Sequence, residues 1–295
     1  MRAEKKVTPG NEPMTESYLH TVWRRFTYHR AGFVSLWIVL AIVVLALLAP
    51  VIAPYDPNAI NPEFSAPPSL SHLLGTDAIG RDMFSRLLYG TRVSLLVGAL
   101  STLLATAIGT VLGLVAGYFG GAADMIIMRI TDTVMSFPYI LLVLVASVIF
   151  SPGMWNIILI LGFVDWPGVA RLVRGNVMEI RNADFVQAAR IEGMPGRYIL
   201  FSEILPDAMA PILVFATSVM AVSILDEAAL SFLGMGVQPP QASLGNLLNG
   251  AESISVLTGM PWLWVSPGVV IIILVICTNF IGDALRDAVD PSTTA

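Results

Sequence analysis

Apolar residues dominate the chain in stretches long enough to cross a lipid bilayer, whose hydrocarbon core of about 30 Å requires about 20 helical residues. The third stretch has polar residues at its start, and the fourth is short and contains Asp165. The pattern predicts an all-α integral membrane protein with six transmembrane helices, whose termini lie on the same side of the membrane. These stretches are residues 33–53, 94–118, 125–150, 157–172, 208–230 and 265–281.

Composition supports a surface that faces lipid over much of its area. Of the 295 residues, 56% are hydrophobic and 13% are charged, whereas soluble domains carry about 25% charged residues. The single cysteine, Cys277, lies in an apolar run and can form no internal disulfide. That position is typical of a small packing residue.

Several kinds of chemistry are excluded by the residue types and their positions. A Walker-type phosphate loop needs a lysine, and the lysines of this chain are Lys5 and Lys6, near its beginning. The three histidines lie outside the predicted spans and form no H-E-x-x-H motif. We therefore expect no catalytic residue, no metal site and no cofactor in this chain.

Basic residues indicate the orientation, because cytoplasmic loops are enriched in Lys and Arg. The segment before the first span and the segment after the fourth are rich in arginine, whereas residues 232–264 contain neither Lys nor Arg. Both termini and residues 182–206 are therefore expected in the cytoplasm. Arg81, Arg86 and Arg92 contradict this assignment, but Asp77 and Asp82 lie beside them and could pair with them.

The polar segments suggest how the chain is divided. Residues 1–20 are predicted to be a disordered tail, and residues 21–32 suit either a helix at the membrane interface or an ordinary basic flank. Residues 33–53 form the first span. Residues 54–93 are expected to be an external loop with an interfacial helix. Residues 94–291 then form the core transmembrane domain.

Within the spans, three features call for a role. Glycines at 109, 113 and 117 follow a four-residue spacing that lets helices approach closely in lipid. Arg129 and Asp132 could pair along one helix face. Asp226 and Glu227 lie near the end of the fifth span, where costly carboxylates either face a pathway or partner, or simply mark the boundary between lipid and water.

The most informative polar segment is residues 182–206. Asn182 is a candidate N-cap, Gly193 a natural helix end, and Pro195 a start for a second short helix that Pro206 limits. This pattern predicts a helix, a glycine turn and a second helix. Because membrane spans flank the segment and it is not strongly basic, docking to a cytoplasmic protein is favoured over DNA binding.

The same segment resembles a known family motif. Gln187, two alanines and Gly193, followed by Ile-Leu-Pro at 204–206, are similar to the EAA loop of ABC importer permeases, with Gln187 where glutamate is usual. In that family the loop forms a coupling helix that sits in a groove of the ATPase. The resemblance implies an ATPase-coupling role for Phe185, Gln187, Ala188, Ala189, Arg190, Glu192, Gly193, Ile204, Leu205 and Pro206.

Three further segments, residues 74–86, 227–240 and 279–291, resemble signatures of the C-type permease of the dipeptide, oligopeptide and nickel importer family. The likeness runs from about residue 23 to residue 291. It implies the type I importer permease fold. Structural signature positions are then Gly75, Thr76, Asp77, Gly80, Arg81, Asp82, Gly282, Asp283, Arg286 and Asp287.

The resemblance also implies partners and a place in the cell. These are a B-type permease subunit, two cytoplasmic ATPase subunits that bind ATP and magnesium, an external substrate-binding protein and the lipid bilayer of a bacterial or archaeal plasma membrane. No nucleic-acid partner is expected. Short peptides are the expected substrate, with nickel chelates, glutathione and haem as alternatives.

The translocation pathway or the external gate is expected to involve residues near the end of the fifth span, namely Asp226, Glu227, Ser231 and Phe232. Two other classes of protein remain open. An ion-driven secondary transporter would show repeat symmetry and ionisable residues near the bilayer midplane, but no repeat is found and only Asp165 could lie deep. A membrane enzyme or a structural scaffold would show a nucleophile–base set within the spans, or no ATPase partner at all.

Overall fold

The computed structural model describes residues 18–250 and 253–289. Most of the predicted tail 1–20 and the end of the signature at 279–291 lie outside these residues. Helices follow one another along the described chain, as α1 (Tyr18–Tyr28), α2 (Arg30–Leu47), α3 (Ala49–Ile52), α4 (Met83–Phe119), α5 (Gly121–Ser136), α6 (Tyr139–Phe150), α7 (Met154–Ile180), α8 (Asp184–Ile191), α9 (Gly196–Tyr198), a π-helix (Ile199–Ile204), α10 (Leu205–Phe232), α11 (Leu244–Asn249), α12 (Ile254–Gly259) and α13 (Trp262–Val289).

Each of the six predicted apolar stretches corresponds to helix in the structure. Five helices in the described residues are long and apolar enough to cross a membrane: α2, α4, α7, α13 and the run Gly196–Phe232 that contains α10. The bent pair α5 and α6 raises the number to six if it counts as one broken span. The prediction of an all-α membrane protein is confirmed.

The third span is not the continuous helix that the sequence predicted over 125–150. The axes of α5 and α6 differ by 89° at the break between them. Pro138 has no N–H to donate, and its ring disfavours the helical conformation of the residue before it. Phe137 accordingly has an extended backbone, with φ −86° and ψ 144°. The predicted third stretch is therefore helical on both sides of a break.

The second span begins earlier than predicted. Helix α4 starts at Met83, because the Asp82 side chain accepts a hydrogen bond from Ser85 N at 2.8 Å and so caps the helix. Residues 83–93 are therefore the first turns of a long helix and not a separate interfacial helix of an external loop. The span predicted from residue 94 is the continuation of that helix.

The helices pack around a central pair, α4 and α7. A Cβ at Gly113 would lie 2.6 Å from the Cβ of Val173, and the positions at 109 and 117 face Val169 and Val177 in the same way. The predicted role of these glycines in close packing is thus confirmed. Helix α10 packs on α4 and α13, and α13 packs on α2.

Helix α1 covers part of the region for which an interfacial helix was predicted. It packs on α13, and Phe26 is buried against Ala284 and Ala288. The His29 side chain accepts a hydrogen bond from Gly32 N at 3.1 Å and starts α2. The beginning and the end of the described chain therefore lie together at one end of the bundle.

Candidate docking loop and membrane cavity

The segment between α7 and α10, residues 182–206, is called the docking loop. Helix α8 ends in a paired hydrogen-bond pattern, in which Gly193 N donates to Arg190 O and Met194 N donates to Ala189 O, both at 3.1 Å. Gly193 has φ +78°, the left-handed conformation that this ending requires. The predicted glycine turn is therefore present at the predicted residue.

The predicted helix start at Asn182 was wrong. Helix α7 extends to Ile180, and Asn182 lies in the turn that follows it, where its amide donates to Met178 O at 3.2 Å. The N-cap of α8 is Ala183, without a side-chain hydrogen bond. Asp184 lies in the first turn of α8, where a negative charge is favoured by the helix dipole.

The second half of the loop leads directly into the next span. Pro195 precedes α9, as predicted, but the chain then continues through the π-helix into α10. Pro206 stands in the first turn of α10, where its missing N–H costs no hydrogen bond. The expectation that Pro206 limits the second helix was therefore wrong, and the loop is continuous with the span.

The docking loop is fixed to the ends of α4 and α7. Val186 and Ala189 are buried in a cluster that includes Val177 of α7, and the π-helix adds Ile199 and Ile204. Polar contacts add to the attachment. The Arg190 guanidinium lies 5.5 Å from the Tyr118 ring of α4, and the Gln187 amide donates to the carbonyl of Arg181, whose guanidinium donates to Gly117 O at 3.1 Å. A movement of the loop must therefore move these helices.

The outward side of the loop is a small apolar surface, called the docking face. It consists of Phe185, Ala188, Ile191 and Met194, and its largest exposure is at Ile191, with 87% of its surface accessible. The two adjacent alanines differ in exposure. Ala188 is exposed, whereas Ala189 is 9% exposed and lies within the core cluster.

Ile191 was missed by the sequence analysis, although it stands three positions after Ala188 and therefore on the same side of α8. Gln187 occupies the position where the family has glutamate, and its amide donates to Arg181 O at 3.2 Å. This contact is made within the chain. Glu192 is exposed, and Leu205 packs against the core cluster as a partly buried residue.

A cavity of about 420 Å³ opens beside the break between α5 and α6. Among the described residues that line it, Asp165 is the charged one, and the rest are apolar except for Tyr139, Ser218 and a glycine. Its walls come from α5, α6, α7 and α10, with Phe137, Val164, Phe215, Val219 and Val222 among the apolar lining residues.

Hydrogen bonds hold the carboxylates of this region. The Tyr139 hydroxyl donates to Asp226 Oδ2 at 2.6 Å, and the Ser223 hydroxyl donates to Asp165 Oδ2 at 3.4 Å. Asp226 is half-buried beside the cavity. The structure therefore brings Asp165, a residue the sequence analysis noted only for its depth, next to the predicted Asp226.

The other predicted pathway residues lie elsewhere. Glu227 is fully buried inside the chain, and Ser231, also buried, donates to it. Phe232 is half-buried at the end of α10, and its carbonyl accepts from Asn249 Nδ2 at 2.7 Å. Among the described residues, these three do not line the cavity.

Two ion pairs attach α5 to α7 at the end of the bundle that carries the docking loop. Arg174 binds both oxygens of Asp124, at 2.5 and 2.7 Å, and Arg171 Nη2 lies 2.7 Å from Asp132 Oδ1. The predicted pairing of Asp132 with Arg129 along one helix was wrong, because the α7 arginine reaches it across the interface.

The first signature segment forms a compact turn before α4. Arg81 Nε lies 2.7 Å from Asp77 Oδ2, Arg86 Nε lies 3.9 Å from the same oxygen, and buried Asp82 binds His72 at 2.8 Å. The predicted pairing is therefore present for Arg81 and Arg86, both with Asp77, whereas Asp82 pairs with His72 instead of an arginine. Gly75 and Gly80 have positive φ, and Thr76 hydroxyl donates to Glu63 O at 2.6 Å.

The last signature segment lies on the final turns of α13. A Cβ at Gly282 would meet the Thr217 side chain of α10, so this glycine permits a close approach of the two helices. Asp287 Oδ2 lies 3.7 Å from His29 Nε2. Asp283 and Arg286 are exposed.

Comparison with known sequence families gives two matches. Residues 109–295 match the family described as binding-protein-dependent transport system inner membrane component. Residues 17–68 match the N-terminal TM domain of oligopeptide transport permease C.

Individual relatives are similar over nearly their whole length. The glutathione transport system permease protein GsiD of Pectobacterium atrosepticum is 41% identical over 271 residues, covering 91% of this chain and 89% of that protein. The dipeptide transport system permease protein DppC is 38% identical in Haemophilus influenzae, covering 92% of this chain and 94% of the relative, and 38% identical in Bacillus subtilis, covering 93% and 86%.

A solved structure has the same fold. It is a chain of the MetNI methionine ABC transporter in an inward-facing conformation, with a TM-score of 0.55 and 22% identity, covering 70% of this chain and 97% of that one. At this identity the likeness concerns the fold alone. It confirms the predicted type I importer permease architecture.

Proposed function

This chain belongs to the family of binding-protein-dependent transport system inner membrane components, and we propose that it forms one half of the translocation pathway of an ATP-driven importer of short peptides. The observation that carries the proposal is the docking loop. It presents an apolar face outward, is anchored to α4 and α7, and continues without interruption into α10.

The substrate class is supported by relatives with long, nearly complete matches. Two are named for dipeptide transport and one for glutathione, which is itself a short peptide. Nickel chelates and haem, the other substrates expected from the resemblance, are less well supported by these names. An ion-driven secondary transporter is not favoured by the family to which the chain belongs.

The proposed assembly contains a second permease subunit of B type, two ATPase subunits that bind ATP and magnesium, and an external substrate-binding protein, in a bacterial or archaeal plasma membrane. In this proposal ATP hydrolysis belongs to the partner subunits and this chain is a pore. Both termini and the docking loop are proposed to be cytoplasmic. One groove is lined by Val22 of α1, Phe185 of α8 and Leu285 of α13. Both ends of the described chain therefore lie beside the docking loop, which supports placing all three on one side of the membrane.

In the proposed mechanism, ATP binding draws the two ATPase subunits together and each docking loop moves with its subunit. The buried contacts of Val186 and Ala189 transfer that movement to α4 and α7, and the π-helix transfers it to α10. The cavity is lined by α5, α6, α7 and α10, so a movement of α7 and α10 changes its access from one side of the membrane to the other. Such a gate has two states whose populations ATP shifts.

Uptake by the reconstituted importer tests the function. Liposomes that contain both permeases and the ATPases, with binding protein and radiolabelled dipeptide outside and ATP inside, should accumulate the dipeptide. An ATPase variant that lacks its phosphate-loop lysine should abolish uptake, and an ionophore should leave it unchanged. Uptake that survives without ATP but is lost with the ionophore would instead establish the secondary transporter.

The cavity carboxylates give a sharper prediction about substrate contact. A short peptide carries an ammonium group at its amino end, and a carboxylate in an apolar cavity attracts it strongly because little water screens the charges. Asp165→Asn and Asp226→Asn should each raise the KM for dipeptide uptake by about tenfold, an amount typical of one lost charge-assisted contact. The same uptake assay measures this effect.

N-acetylated dipeptides provide the control, because they lack the ammonium group and should be transported equally by wild type and both variants. Asp283→Asn serves as a matched variant, since Asp283 is an exposed carboxylate at the far end of α13. If both cavity variants transport the free dipeptide normally, the carboxylates only mark the boundary between lipid and water.

A further inference from the structure

Glu227 occupies an unusual position for a carboxylate in a membrane protein. It lies in α10, one turn before the end of the helix, and is 0% exposed. Its oxygens accept hydrogen bonds from serine hydroxyls, Oε2 from Ser94 at 2.5 Å and Oε1 from Ser231 at 2.7 Å. Glu227 therefore joins α4 to α10 through side-chain contacts alone.

The two serines extend this contact to the polypeptide that follows α10. Residues 233–250 are called the external segment. Leu244 N donates to the Ser94 oxygen at 3.1 Å, and Val237 N donates to the Ser231 oxygen at 2.9 Å. Each serine thus accepts from a backbone amide of the external segment while it donates to Glu227. A carboxylate supports both serines at once, because it accepts hydrogen bonds and donates none.

The external segment also lies very close to α10. A Cβ at Gly236 would meet the Ser231 backbone, and a Cβ at Gly245 would meet the backbone of Ala228. The segment has its own internal support, since Ser243 caps α11 and the Asn246 amide donates to Gln241 O at 2.7 Å. It is therefore a folded unit seated on the end of α10, held by the hydrogen bonds that converge on Glu227.

Stability alone does not account for a carboxylate at this place. Removing a charged group from water is costly, and an apolar side chain of similar size would fill the space without that cost. Hydrogen bonds, in contrast to apolar contacts, hold the external segment in one register on α4 and α10. The arrangement therefore favours a role in positioning over a role in packing.

We propose that Glu227 is a positioning residue of the external gate, which through Ser94 and Ser231 makes the external segment move as one body with α4 and α10. This inference rests on the proposed function. The run Gly196–Phe232 connects the docking loop at one end of the bundle to Glu227 at the other. A movement that begins at the ATPases therefore reaches the surface where the external binding protein delivers substrate.

The test compares two serines of the same helix in the reconstituted importer. Ser94→Ala removes the acceptor for Leu244 N and a donor to Glu227, whereas Ser101→Ala removes a buried hydroxyl that donates only to carbonyls of its own helix, Val97 O and Gly98 O. Hydrogen exchange at the Leu244 amide should become about tenfold faster in Ser94→Ala and stay unchanged in Ser101→Ala.

The decisive readout is the number of peptides imported per ATP hydrolysed, which does not depend on how much protein folds. Ser94→Ala should lower this ratio by about threefold to tenfold, the range expected for one lost hydrogen bond. The ATP hydrolysis rate without binding protein should stay unchanged, and Ser101→Ala should match wild type. Glu227→Gln still accepts one hydrogen bond. Its ratio of peptide imported to ATP hydrolysed should therefore lie between that of wild type and that of Glu227→Leu.

The outcomes separate this inference from the proposed function. A wild-type importer that takes up no dipeptide contradicts the proposed function. A wild type that works, together with a Ser94→Ala variant that has faster exchange at Leu244 and an unchanged ratio of peptide to ATP, overturns the positioning role of Glu227. Should Glu227→Leu fail to fold, the Ser94→Ala and Ser101→Ala pair decides the matter.

Discussion

Ile191→Glu should abolish the association of the permease pair with its ATPase subunits and leave the membrane helices folded. Ile191 is 87% exposed at the end of α8, so the free chain tolerates a charge there. In a closed apolar interface the same carboxylate would be removed from water without a partner, at a cost of several kcal/mol. We expect the affinity for the ATPase to fall by at least about 100-fold, as measured by pull-down from detergent.

Ala188→Glu should have the same effect, because Ala188 is also exposed on the docking face. Ala189→Glu is the instructive contrast. Sequence reasoning expected this alanine to contact the ATPase, but it is buried against the chain's own core. A glutamate there should reduce the amount of folded permease, with a loss of thermal stability, whereas Ile191→Glu should not.

Retained ATPase binding in Ile191→Glu and Ala188→Glu, together with normal peptide-stimulated hydrolysis in liposomes, would show that the docking loop contacts no ATPase. The family assignment would then stand on sequence similarity, and another cytoplasmic surface would have to transmit the movement. The groove lined by Val22, Phe185 and Leu285 is the next surface to test, because it adjoins the loop at the same end of the bundle.

The hydrophobic pattern was sufficient to predict every apolar stretch, because crossing a bilayer imposes a length that few soluble segments reach. The break in the third stretch was also predictable in principle. Pro138 stands inside it, and a proline usually ends or kinks a helix at the preceding residue. The chain stays helical through Pro206, because a proline in the first turn of a helix is compatible with the helical backbone.

What the sequence could not supply were the contacts between distant residues. Whether Ala188 or Ala189 faces outward depends on how α8 rotates against Val177, which local spacing does not determine. Asp132 pairs with Arg171 of another helix instead of its neighbour, because the two helices lie side by side. Glu227 and Asp226 are adjacent in sequence, yet they point to different surroundings on α10.

The charged turn before α4 contains two of the three arginines that disagree with the predicted orientation. Arg81 and Arg86 lie beside Asp77 on the side expected to be external, where the positive-inside rule disfavours arginine. Paired with a carboxylate within the same turn, they act as structural residues that shape the start of α4. The arginines of the other loops remain the basis of the predicted orientation.

The close contact between α4 and α7 leads to the second prediction with a large expected effect. Alanine substitutions at two glycines should change the stability of the permease in opposite directions. A Cβ at Gly113 would lie 2.6 Å from Ala170 O and 2.6 Å from Val173 Cβ, whereas a Cβ at Gly175 meets nothing within 4 Å. Gly113→Ala should therefore force the helices apart and destabilise the permease by about 1–3 kcal/mol, as for other overpacked interiors. Gly175→Ala should stabilise it by about 0.5–1 kcal/mol, the usual preference of alanine over glycine in a helix.

Thermal unfolding of the purified permease pair in detergent measures both changes. The consequence of Gly113→Ala should extend beyond stability, because α7 leads into the docking loop at Arg181, whose guanidinium donates to Gly117 O of α4. A wider separation of α4 and α7 displaces that carbonyl, so the peptide imported per ATP should also fall. Equal melting temperatures for Gly113→Ala and Gly175→Ala would mean that the glycines do not set the distance between the two helices.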